Sequence, residues 1–140
     1  LGMYYYSYAL TEEAAAEEAC FTAFVLKDAG LPPEKLSAGI WLDMEDADGY
    51  KERNGITGKD EITALCVSYL SEMNKQGCPA GLYSSCSWLA DLVHIPALPE
   101  GTPLWCAQWG SACDIKEAML WQFTNSLPLE DQLVDGDIWK

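Results

Sequence analysis

The chain has 140 residues, 49% of them hydrophobic, enough for one domain of ordinary size to bury a core without metal or disulfide staples. Its formal charge of −14, from 22 acidic against 8 basic residues, repels a phosphate backbone, and with no basic stripe to offset it the composition argues against nucleic acid as a partner. No apolar run reaches the roughly 18 residues of a membrane span, and the tyrosine-rich start lacks the positive n-region of a signal peptide.

In chain order, "GMYYYSYA" (2–9) is rich in strand-forming aromatics. "LTEEAAAEEACFTAFVLKDAGLPP" then predicts a helix, with Thr11 as N-cap, acids in the first turn, and Lys27 and Gly30 near its end. After Pro32-Pro33, "GIWLDMED" (39–46) predicts a strand and "DADGYKERNG" a polar loop. A second helix is expected from Thr57, its apolar positions Ile62, Leu65, Cys66, Tyr69, Leu70 and Met73 falling on one face. "GCPAGLYSS" reads as a third strand, "CSWLADLV" as a short helix and "TPLWCAQWG" as a fourth strand. "EAMLWQFTNS" and "LVDGDIW" have too little between them for a helix, which predicts an antiparallel end. Alternating β and α units that give way to strands predict an α/β barrel or open sheet in a single domain over 1–140.

Six cysteines, at 20, 66, 78, 86, 106 and 113, form no C-x-x-C pair, which argues against sulfur-ligated metal. Cys66 and Cys106 sit within apolar patterns and read as buried thiols; a Cys78–Cys86 or Cys106–Cys113 disulfide stays open.

In such folds the chemistry gathers at the C-terminal ends of strands, and here those ends are polar: Tyr6 and Ser7, Asp43 and Glu45, Tyr83 and Ser84, Gln108, Gln122, Asp135. Strand alternation sets Ile40, Leu42 and Met44 on one face and Trp41, Asp43 and Glu45 on the other. Residues two apart have Cα atoms about 6.6 Å apart, so two carboxyls can flank one sugar bond. Like charge and apolar neighbours raise a carboxyl pKa, which makes Glu45 a candidate general acid; a solvated acidic strand end is the plainer alternative. An EF-hand register fails, because Met44 and Gly55 would occupy its first and last ligand positions. A looser divalent site from Asp43, Glu45, Asp46 and Asp48 ranks low without an accompanying histidine. His94, the only histidine, has no serine or cysteine motif nearby, Ser84 and Ser85 lack a nucleophile-elbow context, and no glycine pattern fits a phosphate loop. Among the aromatics, Trp105 and Trp121 read as core packing, whereas Tyr6, Tyr83 and Trp109 lie nearer strand ends, where rings stack on sugars.

Taken together, "GMYYYSYA", "WLDMED", "GCPAGLYSS", "LWCAQWG", "MLWQFTNS" and "VDGDIW" resemble, in order, the strand motifs of the glycoside hydrolase family 25 lysozymes, the N-acetylmuramidases of the Chalaropsis type. The resemblance implies an irregular TIM-like β/α barrel and hydrolysis of the β-1,4 bond between N-acetylmuramic acid and N-acetylglucosamine in peptidoglycan glycan strands, with no cofactor. Glu45 is implied as the general acid, Asp43 as the group steadying the substrate's acetamide or the developing positive charge, and Asp135 as a further acid on the rim, with Asp137 close by in the alignment. Tyr6, Tyr83, Gln108 and Gln122 are implied to line the cleft, and the expected setting is the bacterial cell wall, reached by a secreted autolysin or a phage endolysin. One departure stands out: the D-x-S strand, helix and second strand that open family members have no counterpart here. The resemblance therefore implies an incomplete, N-terminally truncated barrel, with a non-catalytic saccharide-binding remnant as the alternative to an active enzyme. The aromatic strand 2–9 would then be an exposed edge, inviting self-association.

Overall fold

A computed structural model describes residues 1–140. One six-stranded sheet runs through the molecule in chain order: β1 (Met3–Tyr6), β2 (Ile40–Asp43), β3 (Gly81–Ser85), β4 (Leu104–Ala107), β5 (Leu120–Leu129) and β6 (Gln132–Trp139). The first five strands are parallel, while β6 returns antiparallel to β5 through a tight turn. Helices α1 (Glu12–Asp28), α2 (Tyr50–Arg53), α3 (Lys59–Lys75) and α4 (Cys86–Asp91) fill the crossovers. The curled sheet is an incomplete TIM-like barrel, open between β1 and β6, each of which has a neighbour on one side only.

Helix α1 begins where Thr11 turns its hydroxyl back to accept from the Ala14 amide at 3.2 Å, with Glu12 and Glu13 in the first turn and Lys27 in the last, each charge matched to its end of the helix dipole. Its buried Ala15, Ala19, Thr22 and Leu26 and the Ile62, Leu65, Cys66, Tyr69, Leu70 and Met73 face of α3 cover the convex side of the sheet, where Ile40, Leu42, Met44, Leu82, Leu104 and Cys106 complete the core. Each large aliphatic chain buried there contributes about 1.5–3 kcal/mol. The Tyr5 ring of β1 stacks on Tyr69 of α3 at 6.0 Å, and the Tyr69 hydroxyl donates to Thr22 of α1 at 2.9 Å, tying strand and both helices together.

The stretch 46–55, expected as a polar loop, contains α2. Asp46 nucleates it by accepting from the amides of Lys51 (2.8 Å) and Glu52 (3.0 Å), and Gly49 enters it at a left-handed φ of 68°. Helix α3 starts at Lys59, two residues after the expected Thr57, where the Glu61 carboxylate accepts from the Gly58 amide at 2.9 Å. All six cysteines are free thiols, with Cys66 and Cys106 buried. No helix is long and apolar enough to cross a membrane.

On the concave side, register aligns Tyr6, Asp43, Tyr83, Trp105 and Leu120 across five strands. Beneath that row Trp41 lies over Gly81, so close that a Cβ there would stand 2.4 Å from the indole Cζ3 and 2.8 Å from the Pro103 carbonyl. Trp41 is 3% exposed and has no room to yield. Gly81→Ala is therefore expected to destabilise the fold by about 1–3 kcal/mol, read as a lower midpoint in urea unfolding; an unchanged midpoint would show that the ring is not wedged there.

Candidate active site

The alternation of β2 places Ile40 and Leu42 against the helices and Trp41 and Asp43 on the concave face, and Met44 and Glu45 continue that pattern past the strand end. Both acids open into one cavity of about 310 Å³ lined by Tyr4, Tyr6, Asp43, Glu45, Tyr83, Trp105, Gln122 and Asp135. Six of these eight are residues that the sequence singles out. Two were missed. Tyr4 precedes Tyr5 and Tyr6 in an all-aromatic run with no polar alternation to mark its face. Trp105, expected as core, instead packs edge-on against Tyr83 (4.7 Å) and Trp41 (5.5 Å) on the concave face. Flanked by Leu104 and Cys106, it lies in a stretch that reads as apolar throughout, whereas only its neighbours point into the core.

Gln108 and Trp109 lie outside the cavity lining. The Gln108 side chain is taken up locally, donating to the Asp114 carboxylate at 2.6 Å and accepting from the Asp114 amide at 2.7 Å. Trp109 is 63% exposed at the rim, its indole donating to Gln122 at 3.4 Å. Gln122 is buried, and the same oxygen accepts from the Tyr83 hydroxyl at 3.2 Å. Asp137 accepts from the Trp105 indole at 2.8 Å and so fixes the ring, leaving Asp135 as the β6 acid on the cavity wall.

The two β2 acids differ in depth. Asp43 is 6% exposed and its Oδ1 has no hydrogen-bond partner. Burial, then the neighbouring Glu45 charge, pushes its carboxyl up to about 7 against the opposing pull of Lys51. Glu45 is half-buried and is raised by burial and by Asp135, again opposed by Lys51. Both carboxyls therefore hold their protons to higher pH than solvated acids do, Asp43 the more strongly. The other acids of the segment point elsewhere: Asp46 caps α2, and Asp48 accepts from the Tyr50 amide and the Tyr8 hydroxyl, each at 3.1 Å. The four carboxylates of the looser divalent site thus do not converge, and no group of three or more His, Cys, Asp or Glu side chains is disposed to hold a metal ion. His94 is exposed, and Ser84 is buried with its hydroxyl given to the Met44 carbonyl.

A concave sheet face with paired carboxyls at a strand end and aromatic walls is the arrangement of a β/α-barrel glycosidase. The chain belongs to the glycosyl hydrolases family 25, whose family model matches residues 1–132. Among solved structures it is similar to the modular autolysin LytC from Streptococcus pneumoniae in complex with a synthetic peptidoglycan ligand (TM-score 0.80, 22% identity, covering 98% of this chain and 33% of that one). It is also similar to the Clostridium perfringens spore cortex lytic enzyme SleM (TM-score 0.71, 16% identity, 99% and 48%) and to the modular Cpl-1 endolysin complexed with a peptidoglycan analogue (TM-score 0.68, 18% identity, 99% and 38%). The chain thus spans a third to a half of the length of these relatives, and at such identities they show the fold alone. No curated protein matches it.

The raised Asp43 carboxyl has a measurable consequence. Because its folded-state value lies above that of the unfolded chain, the folded state holds the proton more tightly, and stability falls as pH rises from about 4 through 7. Asp43→Asn is expected to raise stability by about 1–2 kcal/mol at pH 8, discounted for partial solvent access, and to leave it little changed at pH 4. Thermal melts of both proteins at the two pH values check this; an equal effect at both would show that Asp43 is not desolvated.

Proposed function

We propose that the chain is a cell-wall muramidase domain that hydrolyses the β-1,4 bond between N-acetylmuramic acid and N-acetylglucosamine. The observation that carries this reading is the opening of Asp43 and Glu45 into a single aromatic-walled trough, in a family of glycosidases with structural relatives solved with peptidoglycan ligands. Tyr4, Tyr6, Tyr83 and Trp105 offer ring faces and hydroxyls to a glycan strand, a common way of binding a substrate whose faces are apolar and whose edges are polar.

Glu45, the more accessible acid, is the proton donor to the leaving glycosidic oxygen. Its pKa is raised by burial and by Asp135, as that role requires. Asp43 sits deeper. While protonated it can donate a hydrogen bond to the acetamido carbonyl, and once ionised it stabilises the positive charge that develops on the sugar, in a site where exclusion of water strengthens both interactions. Asp135 bounds the trough from the β6 side, and Gln122, held by Tyr83 and Trp109, keeps a polar wall near the reacting bond. The reaction draws on side-chain carboxyls and water, with no cofactor. The domain would act outside the producing cell, or from a phage during release, since its substrate lies in the wall.

Turbidity loss of purified cell walls, with reducing ends counted in parallel, tests the proposal. The wild-type chain is expected to release reducing ends, and Glu45→Gln to reduce the rate by about 100-fold or more while the fold is retained. Wall binding without release of reducing ends would instead mark a saccharide-binding domain, and equal activity of the two proteins would remove Glu45 from the mechanism.

A further inference from the structure

A lysine in a run of charged surface residues is ordinarily solvated, yet Lys51 is 1% exposed. Its ammonium donates to the Ser7 carbonyl and, at 3.2 Å, to the Glu45 carbonyl, and it lies 5.7 Å from the centre of the Tyr6 ring. The chain's one ion pair joins Lys75 to Glu72 at 3.0 Å, so Lys51 has no carboxylate in direct contact. Burying a cation on two carbonyls and a ring face is costly, and the surrounding elements are arranged around it. Asp46 anchors α2 through the Lys51 amide. On the far side, Glu18 of α1 accepts from the Ser7 hydroxyl at 2.7 Å and the Tyr8 amide at 2.9 Å, while Tyr6 accepts from the Ala47 amide at 3.1 Å.

We infer that Lys51 is a positioning residue of the trough: its buried ammonium clamps the main chain of Ser7 to that of Glu45, fixing the ends of β1 and β2 together, and brings positive charge beneath the Asp43–Glu45 pair. This inference rests on the muramidase reading only for its consequence in rate. The groups that face Lys51 are Tyr6 of β1, Glu18 of α1, Cys66 of α3, and Asp46 and Asp48 of the intervening loop, with Glu45 and Asp43 beyond the clamp. Burial lowers the Lys51 pKa, and the acids Asp46, Glu18 and Asp48 oppose that shift. The charge is felt at the site, since Lys51 favours the ionised form of both Asp43 and Glu45. The short helix α2 thereby acquires a purpose: four residues of helix turn a lysine inward beneath a pair of acids.

The test follows the side-chain carboxyl carbons of Asp43 and Glu45 by NMR through a pH titration of the wild type, Lys51→Met and Lys51→Arg. Loss of the charge in Lys51→Met disfavours both carboxylates, so both titrations are expected to move to higher pH by about one unit, and Lys51→Arg to stay near the wild type. A folded Lys51→Met with unmoved titrations, or an equal shift in Lys51→Arg, would overturn the inference. Where Lys51→Met does not fold, the wild-type ammonium decides: a charged, slowly exchanging Nζ resonance throughout the titration of the pair supports the clamp, and a neutral or freely exchanging one overturns it. None of these readings needs turnover. A wild type that fails to cleave walls counts against the proposed activity, while the role of Lys51 stands or falls on the titrations.

Discussion

Strand β2 is buried on both faces, and that double burial constrains the rest of the molecule. Its four residues, Ile40 to Asp43, are all buried, with Ile40 and Leu42 in the core beneath the helices and Trp41 and Asp43 under the rings of the concave side. A strand in the middle of a parallel sheet normally resolves such enclosure with apolar residues throughout. Here a carboxyl group ends the strand, where one oxygen has no partner, and the free energy of keeping it there is met by packing elsewhere. Large buried side chains on the convex side, Leu26, Leu42, Met44, Ile62, Tyr69, Leu70, Met73 and Leu82 among them, supply the stability from which an unfavourable site can be held in place.

Charge follows from the same arrangement. The chain carries −14 overall, and Asp43 and Glu45 open into one cavity, so ionising both is opposed by repulsion as well as by the loss of water. Two responses are built into the fold: Asp43 and Glu45 retain protons to higher pH than usual, and Lys51 places a cation behind them without closing an ion pair that would neutralise either. A carboxyl paired directly to a lysine would be held ionised and lose its capacity to donate a proton. Separation by the backbone of Glu45 leaves the acids adjustable.

Much of this arrangement is legible in the sequence, because period-two alternation in "GIWLDMED" carries a clear contrast: apolar residues at 40, 42 and 44 face one way and acids at 43 and 45 the other. The parallel strands with helical crossovers and the antiparallel end are legible for a similar reason, in the spacing of apolar runs and the lengths between them. The contrast fails elsewhere. Tyr4, Tyr5 and Tyr6 are chemically alike, yet Tyr4 and Tyr6 line the trough while Tyr5 stacks on Tyr69. Trp105 is surrounded by apolar residues, so its turn toward the trough leaves no local mark. Gln108 sits at a strand end like Gln122, but a loop that returns to it in space engages its amide. Lys51 is hardest to see, since its burial depends on four segments meeting, from α1, α3 and the ends of β1 and β2.

Under the proposed function the glycan binds in the concave trough and nowhere else, and the six indoles of the chain report on that directly. On titration of a soluble N-acetylglucosamine–N-acetylmuramic acid oligomer into the labelled protein, the indole N–H resonance of Trp105, which binds Asp137 beside the trough, is expected to move. Those of Trp88, on α4, and Trp121, bonded to the Gln108 carbonyl, are expected to stay. Movement of Trp88 or Trp121 with Trp105 unmoved, or no movement of any indole at millimolar oligomer, would contradict it.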